Sequence, residues 1–264
     1  MMKKTLFTLL AQLLVISLTA CGVPAAEPTN APASSEPMIT EAPITEQKPE
    51  PTSEVVVFTD EVLEGLVRVQ MNKPEGDITL DEAESVTMLD LQMDGNDWSL
   101  PRIEDLSDLK QFPNLIHLNL NWALFDSDGD EDFDLSPLAG LTKMEYLYVC
   151  CANISDISAI AGMTNLKDVW IWGNRNITDI SALAGMTQIE SLWIKDNQIT
   201  DISALSNMEN LVYLYMQDNQ VTDLSPLAGL SKLTHVLLSG NPATDYASLK
   251  DVYPNLEEKD FKLN

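Results

Sequence analysis

The sequence predicts a solenoid of the α/β type, in which short parallel strands alternate with turns and successive units share one core. Residues 135–245 repeat a similar line five times, at a period of 22 residues that is stretched once to 23 at Arg175. A fixed period of this length is the signature of a solenoid, whose units bury their apolar faces only by stacking on one another. One unit alone is therefore not expected to fold.

Each unit contains one strand. In the unit that starts at Leu211, the pattern L-x-x-L-x-L-x-x-N runs through Leu214 and Met216 to Asn219, and its alternation has the period of a strand. We expect the strands to pair in parallel about 4.8 Å apart, with their inward residues stacked into one core. The expected inward pairs are Leu147 and Val149, Val169 and Ile171, Leu192 and Ile194, Leu214 and Met216, and Val236 and Leu238.

Polar residues also recur once per unit. An asparagine follows the strand, where its amide can bond the backbone of the bend. A serine opens the next segment and a glycine often follows four residues later, as in Ser181 and Gly185, which predicts a helical turn with a serine cap and a glycine exit. An aspartate two residues before the serine is interpreted as a turn cap rather than part of a cation track. The asparagines are Asn174, Asn197, Asn219 and Asn241, and the aspartates are Asp105, Asp134, Asp156, Asp179, Asp201 and Asp223.

These repeated residues resemble the leucine-rich repeats of bacterial, internalin-like proteins. The resemblance covers residues 55–264 and is most specific over residues 135–245. It implies a right-handed leucine-rich repeat horseshoe with a parallel β-sheet on the concave side, a helical N-terminal cap and short helical or 3-10 turns on the convex side. It also implies partner binding rather than catalysis, and it names no partner.

The first 54 residues predict export and anchoring. Residues 1–20 combine two lysines, a short apolar run and small residues, which is typical of a secretory signal. The stretch Leu-Thr-Ala-Cys that ends at Cys21 resembles the lipobox of bacterial lipoproteins, so Cys21 is the expected lipidation site. An ordinary signal or an uncleaved anchor is the alternative. Residues 21–54 are rich in proline and glutamate and predict a disordered tether. The expected location is the extracellular face of the cell membrane, with the lipid as the only membrane contact.

The rest of the chain divides into caps and repeats. Residues 55–85 break the repeat and are expected to cap the first unit with a helix that begins near Asp60. Thr79 and Glu82 match a capping box for a second short helix. Residues 86–245 hold seven units, the first two of them 29 residues long, and residues 246–264 form a decaying copy that is expected to cap the other end.

Charge and cysteine content exclude several functions. The formal net charge is −26, and it becomes −28 once the two lysines of the signal are removed. Such a charge argues against nucleic acid and anionic membrane surfaces as partners. Cys150 and Cys151 are adjacent, a spacing that seldom forms a disulfide and that lacks the further ligands of a zinc site. We expect Cys150 to point outward and Cys151 to lie in the bend, both as free thiols.

No catalytic constellation is visible, and calcium is the one cofactor that the sequence offers. His117 and His235 lie in the same outward column but five units apart, roughly 24 Å at about 4.8 Å per unit. No Gly-rich phosphate loop, serine-centred elbow or His-Glu zinc motif occurs, so we expect no enzyme. The acidic insertion at residues 126–134 resembles short calcium-binding repeats, with a solvated acidic loop as the alternative. Its candidate ligands are Asp126, Asp128, Asp130, Asp132 and Asp134.

The predicted binding surface is the outward face of the strands. Side chains alternate along a strand, so seven of the eleven tryptophan and tyrosine residues should face outward over four adjacent units. Aromatic residues concentrate at binding hot spots, and we expect this face to bind a protein partner. The alternatives are ring stacking that only stabilises the sheet, glycan or cell-wall binding by the same face, and a structural surface spacer. The predicted partner-binding residues are Tyr146, Tyr148, Asp168, Trp170, Trp172, Trp193, Lys195, Tyr213 and Tyr215.

Overall fold

The computed structural model of the protein describes residues 54–97, 99–124 and 132–263. These residues form one sheet of eight parallel strands that follow one another in chain order. The predicted solenoid is therefore confirmed, whereas the predicted signal, lipidation site and most of the tether lie outside the described residues. The strands are β1 (Met88–Asp90), β2 (His117–Asn119), β3 (Tyr146–Tyr148), β4 (Asp168–Trp170), β5 (Ser191–Trp193), β6 (Tyr213–Tyr215), β7 (His235–Leu237) and β8 (Glu258–Lys259).

The core is built from columns of aliphatic side chains that run from strand to strand. The strands pair without any shift of register, so that Leu147 lies beside Val169 and Val169 lies beside Leu192. The central residue of each of the first seven strands is fully buried, and so is the residue that directly follows strands β3 to β6. All of the inward pairs expected from the sequence are buried, which confirms the predicted face of each strand.

Two helices and two buried carboxylates close the N-terminal end. Helix α1 spans Glu61–Gln70 and helix α2 spans Leu80–Ser85, with the predicted capping box of Thr79 and Glu82. Asp60 caps α1 through Oδ1, which accepts a bond from the Leu63 amide, while its Oδ2 accepts bonds from the amides of Glu104 and Asp105 at 2.7 and 3.0 Å. Asp108 in turn accepts a bond from the Thr59 amide at 2.7 Å. These contacts fasten the cap to the first repeat.

The connections between strands are short 3-10 turns, and aspartates rather than serines cap them. Ser181 makes no capping bond with its side chain. Its amide instead donates to Asp179 at 2.7 Å, and the five other predicted aspartates accept the equivalent bond. The predicted serine cap is thus wrong, because the serine is the first residue of the turn and its own amide is bonded by the carboxylate two residues earlier. The turns span Ser107–Gln111, Ser136–Leu138, Ser158–Gly162, Ser181–Leu183, Ser203–Leu205, Ser225–Leu227, Ala247–Leu249 and Tyr253–Asn255.

The predicted asparagine ladder is present and is interrupted once. The Oδ1 atoms of Asn174, Asn219 and Asn241 accept bonds from backbone amides of the preceding unit at 2.9 to 3.0 Å. Asn197 donates to backbone carbonyls as its neighbours do, but its Oδ1 is buried and no residue of the described chain bonds it. The bend before it contains the inserted Arg175, which has a positive φ of 64°. The insertion shifts the preceding bend and costs the ladder one hydrogen bond.

The helices of the described chain are short. None of them has both the length and the apolar character that crossing a bilayer requires.

Candidate functional site

Four aromatic rings form a continuous stack across the middle of the sheet. They occupy the third position of strands β3 to β6, and the register places each beside the next. Successive ring centroids lie 4.7, 4.7 and 4.2 Å apart, with interplanar angles between 31° and 40°. The strand separation of about 4.8 Å sets this spacing, and such tilted stacking is favourable for aromatic rings. We call this stack the ring ladder; its members are Tyr148, Trp170, Trp193 and Tyr215.

The side chains at the first position of each strand form a second column. It holds two aromatic pairs, one on either side of Asp168 and Ser191. His117 and Tyr146 lie 5.8 Å apart, and Tyr213 and His235 lie 4.6 Å apart. His117 also meets the ring ladder edge-on, at 5.3 Å from Tyr148. The two histidines therefore occupy one column, as predicted, but belong to different pairs. Tyr213 is 40% exposed, whereas the rings of the ladder are half-buried.

Asp168 links the two columns. Its carboxylate accepts hydrogen bonds from the Tyr148 hydroxyl at 3.0 Å and from Trp170 Nε1 at 2.9 Å, and the Ser191 side chain donates a third. Burial raises the pKa of this carboxyl although the three bonds act in the opposite direction. Burial also raises the pKa of the Tyr148 hydroxyl. Asp168 thus holds two rings of the ladder in place, a role that sequence alternation alone did not indicate.

Trp172 belongs to the seven predicted outward rings but does not join the ring ladder. Its neighbours in the same column by register are Cys150 and Lys195, neither of which offers a ring. Trp172 instead meets Trp122 edge-on at 6.1 Å, and Lys195 Nζ lies 4.5 Å from the centre of its ring. This corner borders a depression of about 480 Å³ lined by Trp122, Cys151, Trp172, Gly173, Arg175, Asp196, Asn197 and Asp218.

The two thiols are free, as predicted, but Cys150 does not face solvent. It is fully buried, and its amide donates to the Asn121 side chain at 3.1 Å. Cys151 lies in the bend with a positive φ of 58°, and its Sγ would lie 2.8 Å from a Cβ placed on Gly173. Burial raises the pKa of Cys150 well above its usual range and that of Cys151 to about 11. Neither thiol is therefore an activated nucleophile.

The predicted calcium ligands are only partly visible. Asp126, Asp128 and Asp130 lie outside the described residues. Asp132 accepts a bond from the Ser155 hydroxyl, and Asp134 uses both oxygens to cap its turn at Ser136. Within residues 54–97, 99–124 and 132–263, no group of three or more acidic, histidine or cysteine side chains is arranged to hold a metal ion. Calcium binding stays a prediction.

Comparison with known proteins identifies the repeats. The family model described as Leucine Rich repeats (2 copies) matches residues 164–207 and 187–229. Internalin C2 of Listeria monocytogenes is similar in structure, with 27% identity, a TM-score of 0.59, and coverage of 78% of this chain and 95% of that chain. A leucine-rich repeat protein of Leptospira interrogans has 17% identity and a TM-score of 0.53 over 70% of this chain and 51% of its own. At that identity the likeness shows the fold alone.

The comparisons agree on a repeat scaffold. The PEPR1-AtPEP1 structure also shares the fold, at 22% identity and a TM-score of 0.51, over 58% of this chain and 22% of that one. The search of curated proteins finds no match. No enzyme family is matched by this chain. The chain therefore carries leucine-rich repeats, folds as a leucine-rich repeat solenoid and is similar in structure to an internalin of Listeria.

Proposed function

We propose that this protein is a lipid-anchored cell-surface module that binds a protein partner through the open face of its sheet, the face opposite the core. The observation that carries the proposal is the ring ladder. It concentrates large, half-buried rings on adjacent strands and orders them through Asp168 and Ser191, to which the two indoles donate at 2.9 and 3.1 Å. Rigid aromatic clusters of this kind are typical of binding hot spots.

The stacking geometry favours a protein over a sugar. A sugar ring that packs on an aromatic side chain needs an open ring face. Inside the ladder, each face of Trp170 and Trp193 is covered by the neighbouring ring at 4.2 to 4.7 Å. The atoms left for a partner are ring edges and side-chain polar groups, which suit the mixed apolar and polar surface of a protein.

Surface location forms the second half of the proposal. It rests on the signal-like residues 1–20, on Cys21 in its lipobox-like setting, and on the proline-rich residues 21–54. An extended tether of that composition spans up to roughly 100 Å at about 3.1 Å per residue, enough to hold the repeats away from the membrane. Mass spectrometry of the mature N-terminus should find lipid on Cys21, and Cys21→Ala should release the protein into the medium. A wild-type protein that is secreted without lipid would contradict the anchor.

The binding face is tested with a random peptide library displayed on phage and selected on the full-length protein. We expect the enriched peptides to lose at least tenfold in affinity for a variant with Trp170→Ala and Trp193→Ala. The matched control is Trp172→Ala, which removes an indole outside the ladder and should leave affinity unchanged. Circular dichroism verifies that each variant is folded. Unchanged affinity of the folded double variant would exclude the open face, and binding to a glycan array without any peptide binder would favour a sugar ligand.

A further inference from the structure

Asp168 is a carboxylate set among aromatic rings without a cation beside it. Its hydrogen-bond donors, Tyr148, Trp170 and Ser191, are all neutral. The ion pairs found among the described residues involve Glu64, Glu82 and Glu145 and not Asp168. The nearby His117 attracts the Asp168 carboxylate when it is protonated, but burial lowers the pKa of its imidazole below the ordinary 6.5, so it is a weak countercharge at neutral pH.

The column that contains Asp168 also has a gap at this point. It runs from Tyr146 through Asp168 and Ser191 to Tyr213, so two small residues lie between two tyrosines. Three strand spacings of about 4.8 Å separate the tyrosine strands, roughly 14 Å in all. Tyr146 pairs with His117 and Tyr213 pairs with His235, so both rings make their contacts on the side away from the gap. We call this part of the column the notch; it consists of the Asp168 carboxylate and the Ser191 side chain, to which the indoles of Trp170 and Trp193 donate.

A partner seated on the ring ladder would remove the remaining water from the notch. A carboxylate that is fully buried without a countercharge is strongly unfavourable, because its lost hydration is not replaced. Three neutral donors leave part of the hydrogen-bonding capacity of Asp168 unused, since a carboxylate has about four acceptor positions. A partner with an apolar or acidic group at this point would therefore bind poorly. A cationic group would instead compensate the charge of Asp168 and fill its remaining acceptor position.

We infer that the partner of the open face inserts a lysine or arginine side chain into the notch and pairs it with Asp168. The inference rests on the proposed function, because it assumes that the open face is the face covered. The rings of Tyr146 and Tyr213 flank the notch and offer additional cation–π attraction. The formal charge of −26 attracts a basic partner from a distance as well.

The experiment uses the phage-selected peptides. Those that compete at the ring ladder should share one arginine or lysine, and replacing that arginine by the neutral isostere citrulline should weaken binding at least tenfold. Asp168→Asn should weaken the parent peptide to the same extent, and on this variant the citrulline change should have almost no further effect. Such coupling identifies a direct contact. Glu258→Gln is the matched control, because it removes an exposed carboxylate in the same column while its amide oxygen can still accept the hydrogen bond of the Tyr215 hydroxyl, and it should change affinity less than threefold.

The possible outcomes distinguish a failure of the inferred Asp168 contact from a failure of the proposed binding function. Peptides that need Trp170 and Trp193 but lack a shared basic residue, or that bind Asp168→Asn at full strength, would overturn the inference and leave the proposed function standing. An equal loss on Glu258→Gln would also overturn it, since a general charge effect would then explain the result. Peptides indifferent to the ring ladder would overturn both. In the variant Ser191→Lys, the new lysine can pair with Asp168 from the neighbouring strand. We expect this variant to remain folded and to lose binding of the selected peptides, because the notch is occupied.

Discussion

Single asparagine side chains replace missing backbone partners in four bends of the solenoid, at Asn174, Asn197, Asn219 and Asn241. Asn219, for example, accepts from the Ile199 amide and donates to the carbonyls of Ile194 and Met216. Asn197 makes the donor bonds but lacks the acceptor bond. A buried acceptor left without a partner costs about 1–3 kcal/mol. The insertion at Arg175 is therefore a local weakness in an otherwise regular stack.

Deleting Arg175 should stabilise the protein. The deletion restores the period of 22 residues, so an amide of the preceding bend can reach Asn197 Oδ1, and we expect a gain of about 1 kcal/mol in the free energy of unfolding. Urea denaturation followed by circular dichroism measures the change. As the control, inserting an arginine after Asn219 should deprive Asn241 of its partner and lower stability. A deletion variant less stable than the wild type would contradict the explanation.

Residues whose role repeats in every unit were predictable from the sequence, and residues covered by a neighbouring unit were not. The asparagines and the capping aspartates recur at fixed positions, so their shared chemistry could be inferred. Cys150 stands at a position that faces outward in a single strand, yet the next unit covers it. The stretch of the period at Arg175 was visible, but its effect on Asn197 depends on bends of two units and needed coordinates.

At the scale of secondary-structure elements, carboxylates rather than apolar contacts alone fasten the helical cap to the repeats. Asp60 is 8% exposed and Asp108 is 3% exposed. Asp60 serves helix α1 with one oxygen and the first repeat with the other. Asp108 serves the strand-like segment before α1. The cap and the first 3-10 turn should therefore form and open together.

Asp60→Asn should weaken this joint. The asparagine can still cap helix α1 through its oxygen, but its NH2 group would then face the amides of Glu104 and Asp105. Hydrogen bonds to a charged acceptor contribute about 1.5–3 kcal/mol each, so we expect a loss of roughly 3 kcal/mol. Equilibrium unfolding in urea measures it. Asp81→Asn, an exposed substitution in the first turn of α2, is the control and should change stability by less than about 0.5 kcal/mol.

The sequence predicted the positions of the helices and strands better than the residues that cap the turns. Strand positions and the two helices follow from apolar periodicity and the capping box, and the structure confirms them. Local sequence could not decide between aspartate and serine as the cap, because the cap depends on the residue at which each turn begins. Tertiary contacts such as the second bond of Asp60 leave no trace in local patterns.

At the scale of the whole molecule, each strand pairs only with its neighbours in chain order. The described repeats therefore form a one-dimensional stack in which stability adds up from unit to unit. The same stack repeats the capping carboxylates, and the pKa is lowered at three of them. The hydroxyl and amide of Ser136 lower the pKa of Asp134, and the equivalent serine bonds, with the amide as the larger cause, lower the pKa values of Asp179 and Asp223.

Acid should therefore weaken the stack through these turns. Their pKa values are lowered from 3.8 in the folded protein, so the unfolded chain takes up protons first as the pH falls. The stabilisation they provide is present above about pH 4 and is lost as the pH falls through the lower folded values. Asp168, with its raised pKa, acts in the opposite direction, because its ionisation opposes folding.

Thermal unfolding between pH 7 and pH 2.5 tests this expectation. The comparison is between the wild type and a variant with asparagine at positions 134, 179 and 223, because both lose the same general charge repulsion on acidification. We expect the difference in Tm between them to be largest at neutral pH and to shrink as the pH falls below about 4. A difference that stays constant across the range would show that these carboxylates do not titrate differently in the folded state.

The overall architecture and the outward face were accessible from periodicity, whereas the chemistry of that face was not. Alternation placed Trp170 and Trp193 outward, but it could not show that the rings cover each other's faces or that Trp172 turns toward Trp122. Asp168 was predicted to belong to the binding surface, but its hydrogen bonds to Tyr148 and Trp170 were not. The position of Ser191 beside it, between two tyrosines, became visible only with the register of the strands.

The ring ladder also gives the protein an optical signature. Trp170 and Trp193 lie 4.7 Å apart with their planes inclined by 31°. Indoles this close and this skewed share their electronic excitation, so the pair should produce a split band in circular dichroism whose sign and size follow the angle between the rings. Any partner that presses on the open face would change that angle. Binding at the ring ladder could thus be followed by circular dichroism of the protein itself, without a label or an attached dye.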